Sequence, residues 1–155
     1  MAKLAELLTG SSKQNLLSTI ERGDVIRMKL TPEEGITPKN EGDDSRNKYF
    51  IVLGKTNDGK LIGFVVINSQ INQNLSLPLQ RQHRPISASK YSFLQQDRFV
   101  DCSRLKSISL DNFVDRYDCQ SFGKINEDDL RLITDAVKSS PVETPSKLRR
   151  FGLIE

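Results

Sequence analysis

Residues 46–70 read RNKYFIVLGKTNDGKLIGFVVINSQ, and the fold turns on this stretch. Tyr49, Phe50, Ile51 and Val52 make Lys48 to Thr56 a strand, because aromatic and β-branched side chains suit a pleated, half-buried surface. Leu61 to Ile67 repeats the pattern with Ile62, Phe64, Val65, Val66 and Ile67. Asn57-Asp58-Gly59-Lys60 lies between them, and Asp-Gly between two apolar runs is the strongest short-range hairpin signal. Both runs are near-continuously apolar, so the strands are expected deep in a small barrel or sandwich and not at its edge. Antiparallel pairing brings the outer ends of a hairpin together. Arg46 and Lys48 therefore meet Asn68, Ser69 and Gln70 at one end of the sheet, and chemistry is expected there.

Before the hairpin, residues 2–21 have helical periodicity, with Leu4, Leu7 and Leu8 in one apolar stripe and Leu16, Leu17 and Ile20 in another. Gly10-Ser11-Ser12 interrupts them, and Ser11 or Ser12 suits an N-cap. Val25 to Leu30 reads as a strand with one wet face, where Arg27 and Lys29 lie. Thr31 to Ser45 reads as a loop carrying both signs of charge, either functional or a solvated flap. After the hairpin, Leu79 to Ile86, Arg98 to Cys102 and Leu105 to Ile108 read as short strands. Ser109 caps a helical turn holding Leu110, Phe113 and Val114, and Gly123-Lys124-Ile125 is a linker or short strand. Asn126 caps a helix with an acidic first turn and an apolar stripe of Leu130, Ile133, Ala136 and Val137. Thr144 and Pro145 open a last short helix carrying Lys147, Arg149 and Arg150.

A chain of 155 residues, 36% hydrophobic and 28% charged, suits one domain with appendages and argues against wholesale disorder. The net charge of +3 and pI near 8.9 are compatible with a polyanionic partner without requiring one. Cys102 and Cys119 form no CxxC pair and no histidine cluster accompanies them, so they read as free, buried thiols and a zinc site is not supported. No apolar run approaches the roughly 18 residues of a membrane span, and the opening MAKLAELLTG is too short and too acidic for a secretory signal. A cytoplasmic protein with no membrane partner is expected.

The order of elements resembles the MazF/PemK family. The residues that carry it are Gly23-Asp24-Val25, Leu30-Thr31-Pro32 with Gly35, Arg46 after a loop, the hairpin with its polar end, Phe99 to Ile108, and Gly123-Lys124-Ile125 before a helix. It covers roughly residues 23–139. The resemblance implies a mainly β (α+β) fold, a small SH3-like antiparallel barrel of the MazF/PemK/CcdB type with a C-terminal helix. A helical leader (1–22) precedes the barrel domain (23–140), and a basic helical extension (141–155) follows it. It also implies a toxin of a toxin–antitoxin system, usually a homodimer, that cuts single-stranded RNA at short sequences without a metal or other cofactor while its cognate antitoxin competes for the RNA groove. Arg46 matches the catalytic arginine of the family. Asn68 stands in the register of the family threonine, with Ser69 next to it, and Asn47 stands where the family has proline.

Metal-free RNA cleavage requires the ribose 2′-hydroxyl to attack its own phosphate. A guanidinium grips the phosphorane in two places, which suits Arg46. Ser69 with Asn68 is expected to position the phosphate, Gln70 to help select bases, and Lys48, Arg81 and Arg84 to hold RNA. His83, the single histidine, is the candidate proton carrier, since an imidazole titrates near neutrality. Plainer roles compete with each. Arg46 can pair with Asp43 or Asp44, the polar trio can be turn residues, His83 can be structural, and Tyr49 and Phe50 read as core aromatics before stacking faces. Two other functions stay open: an inactive relative acting on a protein target or as a regulator, and a DNA- or RNA-binding barrel with no toxin role.

Overall fold

The computed structural model describes residues 10–37, 42, 45–118 and 121–155. In chain order they form helix α1 (Gly10–Thr19), strand β1 (Asp24–Leu30), a 3-10 turn (Pro32–Glu34), strands β2 (Arg46–Lys55) and β3 (Leu61–Asn68), and one helical turn α2 (Leu77–Gln80). Strands β4 (His83–Ile86), β5 (Arg98–Asp101) and β6 (Lys106–Ser109) follow, then helix α3 (Leu110–Arg116), strand β7 (Ser121–Lys124), and helices α4 (Glu127–Lys138) and α5 (Pro145–Arg150). Among the described residues no helix is long and apolar enough to cross a membrane.

The strands make one antiparallel sheet in the order β4-β5-β3-β2-β1-β7, and β6 pairs with the other half of β3. The sheet curls into a half-barrel, and the fold is mixed α/β with few helices. The hairpin lies at its centre, as the apolar runs predicted. Tyr49 faces Ile67 and Val52 faces Phe64 across the pair. Thr56 N donates to Leu61 O at 3.1 Å, and Gly59 takes a φ of +70° in the turn, a conformation that costs other residues.

Both faces of the hairpin are buried, which accounts for the missing alternation. Phe50, Val52, Phe64 and Val66 pack with Phe113 of α3 and with Leu17 and Ile20 at the end of the first helix. Ile51, Leu53, Val65 and Ile67 pack on the opposite side with Ile133 and Val137 of α4 and with Leu148 and Phe151. Phe151 sits on two paired glycines. A Cβ on Gly63 would come within 2.7 Å of its ring, and one on Gly54 would collide with its carbonyl oxygen.

Most predicted boundaries agree with the structure to within a residue or two. Ser109, Asn126 and Thr144 accept from the backbone N–H groups of Asn112, Asp129 and Lys147, and so cap α3, α4 and α5. Residues 79–86 are not one strand: Leu77–Gln80 is helical, with Pro78 in its first turn, and β4 begins only at His83. The loop after β1 is no solvated flap at its start. Thr31 and Glu34 form a capping box, and Glu34 is buried against the Arg116 guanidinium. Helix α1 already begins at Gly10, so Ser11 and Ser12 lie within it. Leu4, Leu7, Leu8, Asp43, Asp44 and Cys119 lie outside the described residues.

Candidate functional site

The open end of the hairpin is cationic because of the strand register. Pairing of β1 with β2 sets Leu30 opposite Arg46, Met28 opposite Lys48 and Arg27 opposite Tyr49. On the other side, β5 sets Val100 opposite Ile67 and Phe99 opposite Asn68, which brings Arg98 to the same end. A cavity of about 190 Å³ opens there, lined by Arg27, Arg46, Asn47, Lys48, Tyr49, Ile67, Ser69 and Arg98. Four of these eight side chains are cationic and none is a carboxylate. Such a wall favours an anion, and guanidinium forks favour a phosphate or carboxylate.

Strand alternation divides the lining residues between two faces. Lys48 follows Phe50 and Val52 onto their face and is buried, where its Nζ donates to Asn68 Oδ1. Burial pushes the Lys48 ammonium down to about 8; the nearby Arg46 and Arg98 charges push the same way, and Asp101 opposes them. Lys106, on the same face and also lowered by burial, donates to Gly35 O at 2.9 Å. Tyr49 is on the opposite face, half-buried, with its ring centroid 5.5 Å from that of Phe93 and 5.2 Å from that of Phe122. The Arg27 guanidinium lies over the Tyr49 ring, 5.6 Å from its centroid.

Neither a protein-family model nor a curated protein sequence matches this chain.

The expected site residues separate into three groups. Arg46, Lys48 and Ser69 line the cavity, and Asn68 adjoins it through Lys48. Gln70 is exposed just past the end of β3. His83, Arg81 and Arg84 are not among the lining residues. The His83 ring is buried on β4, with Nδ1 3.1 Å from Leu79 O and 3.2 Å from Gln80 O, and Nε2 3.7 Å from Asp101 Oδ1. Arg81 is exposed at the end of α2, and Arg84 is half-buried on β4. Cys102 is a free, buried thiol, pushed up to about 12 mainly by burial. Among the described residues no three His, Cys, Asp or Glu side chains converge as a metal would require.

Arg27, Arg98 and the wall position of Tyr49 were not singled out by sequence reasoning. Arg27 had a signal, as a charged residue on the wet face of a strand expected to pair with the hairpin. Arg98 had none, because nothing local shows that β5 pairs with the final residues of β3.

Proposed function

We propose that this protein is a MazF/PemK-like endoribonuclease, the toxin of a toxin–antitoxin pair, cutting single-stranded RNA without a metal. One observation carries the proposal: Arg46 and Ser69, expected at the two outer ends of the hairpin, line a single cavity with three further cations and no carboxylate. Such a cavity suits a phosphodiester. The curled antiparallel sheet is compatible with an SH3-like barrel, and we read it as the MazF/PemK/CcdB type. On this reading the chain works as a homodimer, and its antitoxin masks the basic end with an acidic segment.

The chemistry follows from the residues. The ribose 2′-hydroxyl gives its proton to water as its oxygen attacks phosphorus, a P–O bond forms, and the bond to the 5′-oxygen breaks as that oxygen takes up a proton. The products are a 2′,3′-cyclic phosphate and a 5′-hydroxyl. Arg46 stabilises the doubly charged phosphorane, and the Ser69 hydroxyl orients the phosphate. We assign protonation of the leaving oxygen to Lys48 in preference to His83. Lys48 lines the cavity with its pKa lowered to about 8, and the His83 ring is buried against two backbone carbonyls.

The test is cleavage of a long mixed-sequence RNA in EDTA by the wild-type and Arg46→Ala proteins, with the cut ends mapped. Wild type should cut at a recurring short sequence, and the variant should be slower by about 10²-fold or more. A second reading, an inactive binding module, is favoured by Asn68: its amide oxygen is occupied by Lys48 where the resembled family keeps a threonine hydroxyl. Absence of cuts by folded wild type with several RNAs, with and without EDTA, would select it.

A further inference from the structure

Arg27 and Arg98 face the cavity from β1 and β5, the strands that flank the hairpin. Neither forms an ion pair with a described residue, although acids stand close in sequence. Asp24 accepts from Glu21 N and pairs with Lys124, and Asp97, next to Arg98, accepts from Ala88 N at 2.8 Å. Mutually repelling guanidiniums around one cavity are relieved by a bound anion. Beside them the Tyr49 ring, covered by Arg27, offers flat surfaces of the kind on which nucleobases stack. The cavity is below the ~300–1,000 Å³ of a site for a drug-sized ligand, which suits a fragment of a longer polymer. This is also the face away from the Lys48–Asn68 pair.

We propose that Arg27 and Arg98 hold a second phosphate of the same RNA strand, next to the phosphate at Arg46, with the adjoining base against Tyr49 and Arg27. It rests on the function proposed above and adds to it. The strand crosses the open end of the hairpin from one face of the sheet to the other, so the enzyme grips a flanking nucleotide as well as the bond that it cuts.

The experiment is binding of a labelled single-stranded oligoribonucleotide with 2′-O-methyl groups, which lacks the attacking hydroxyl and so reports binding without cleavage. Affinity is measured across a salt series for wild type and for Arg27→Gln/Arg98→Gln. Each single-strand phosphate contact contributes about −0.7 to the slope of log affinity against log salt, so the double variant, which loses one phosphate, should lose about 0.7 from the slope, with weaker binding. Arg27→Lys/Arg98→Lys, which keeps both charges, should restore most of the slope. Arg131→Gln/Lys138→Gln, on the exposed side of α4, controls for net charge and should leave the slope unchanged. An unaltered slope in a folded Arg27→Gln/Arg98→Gln protein, with wild type still cutting RNA, overturns this inference alone. Wild type that neither binds nor cuts RNA overturns the proposed function with it. Loss of slope equal to that of the α4 control also overturns it, since the effect is then one of net charge.

Discussion

A buried ammonium is costly in its charged form, and Lys48 meets that cost through Asn68. The sign of the pH dependence follows. Its folded-state pKa, about 8, lies below the ordinary 10.5, so between those values the unfolded chain holds a proton that the folded chain has lost. This group therefore makes stability rise with pH from about 8 to 10.5, and below pH 8 the burial penalty is present in full. Lys48→Met should raise stability at pH 7 by roughly 1–3 kcal/mol and flatten the rise above pH 8, as urea midpoints at pH 7 and 9 would show. Cleavage should fall at the same time, tenfold or more, because the same group is assigned the proton transfer. A variant both more stable and less active is the signature of a residue kept for function. The site was legible where it belongs to one hairpin. Arg46, Lys48, Asn68 and Ser69 come together through a turn that the sequence announces. His83 invites a reading from its chemistry alone; the α2 carbonyls at its ring are local, but its burial also depends on the pairing of β4 with β5, which is not.

At the scale of elements, the least obvious contact is Phe151 on the Gly54–Gly63 pair. The two glycines lie opposite each other just after the bulge between Val52 and Gly54, so the sheet is bare of side chains where the ring lies. Gly54→Ala should displace the segment after α5, since the new methyl meets a backbone carbonyl that cannot rotate away. Phe151→Ala should cost about 3–5 kcal/mol. Chemical denaturation measures both, and Gly63→Ala in the Phe151→Ala background should cost less than alone, because the ring that its methyl would meet is gone. The glycines look like turn or bulge residues in sequence, and nothing near them points to an aromatic almost a hundred residues away. Caps, by contrast, are local: Ser109, Asn126 and Thr144 each satisfy a backbone N–H three residues on, and each was legible.

Across the whole molecule, the central sheet is covered by the two ends of the described chain on opposite faces. The first helix supplies Leu17 and Ile20 to the Phe50 face, and Lys55 Nζ donates to the carbonyls of Leu17 at 3.0 Å and Ile20 at 2.9 Å. The last segment supplies Leu148, Phe151 and Leu153 to the Ile51 face. Burial of one large apolar side chain is worth about 1.5–3 kcal/mol, so the last segment contributes roughly 5–9 and the first helix roughly 3–6. A domain of this size is stable by only about 5–15 kcal/mol. Removal of residues 145–155 should therefore abolish cooperative unfolding. It also strips Lys147 from Glu143, whose carboxylate holds Leu105 N at the start of β6. Removal of residues 1–20 should leave a single urea transition, at a lower midpoint and with activity retained, because among the described residues none of that helix lines the cavity. Circular dichroism in urea, beside the RNA cleavage assay, separates the two ends: one is part of the fold that aims the hairpin, and the other is a removable cover on the face away from Tyr49.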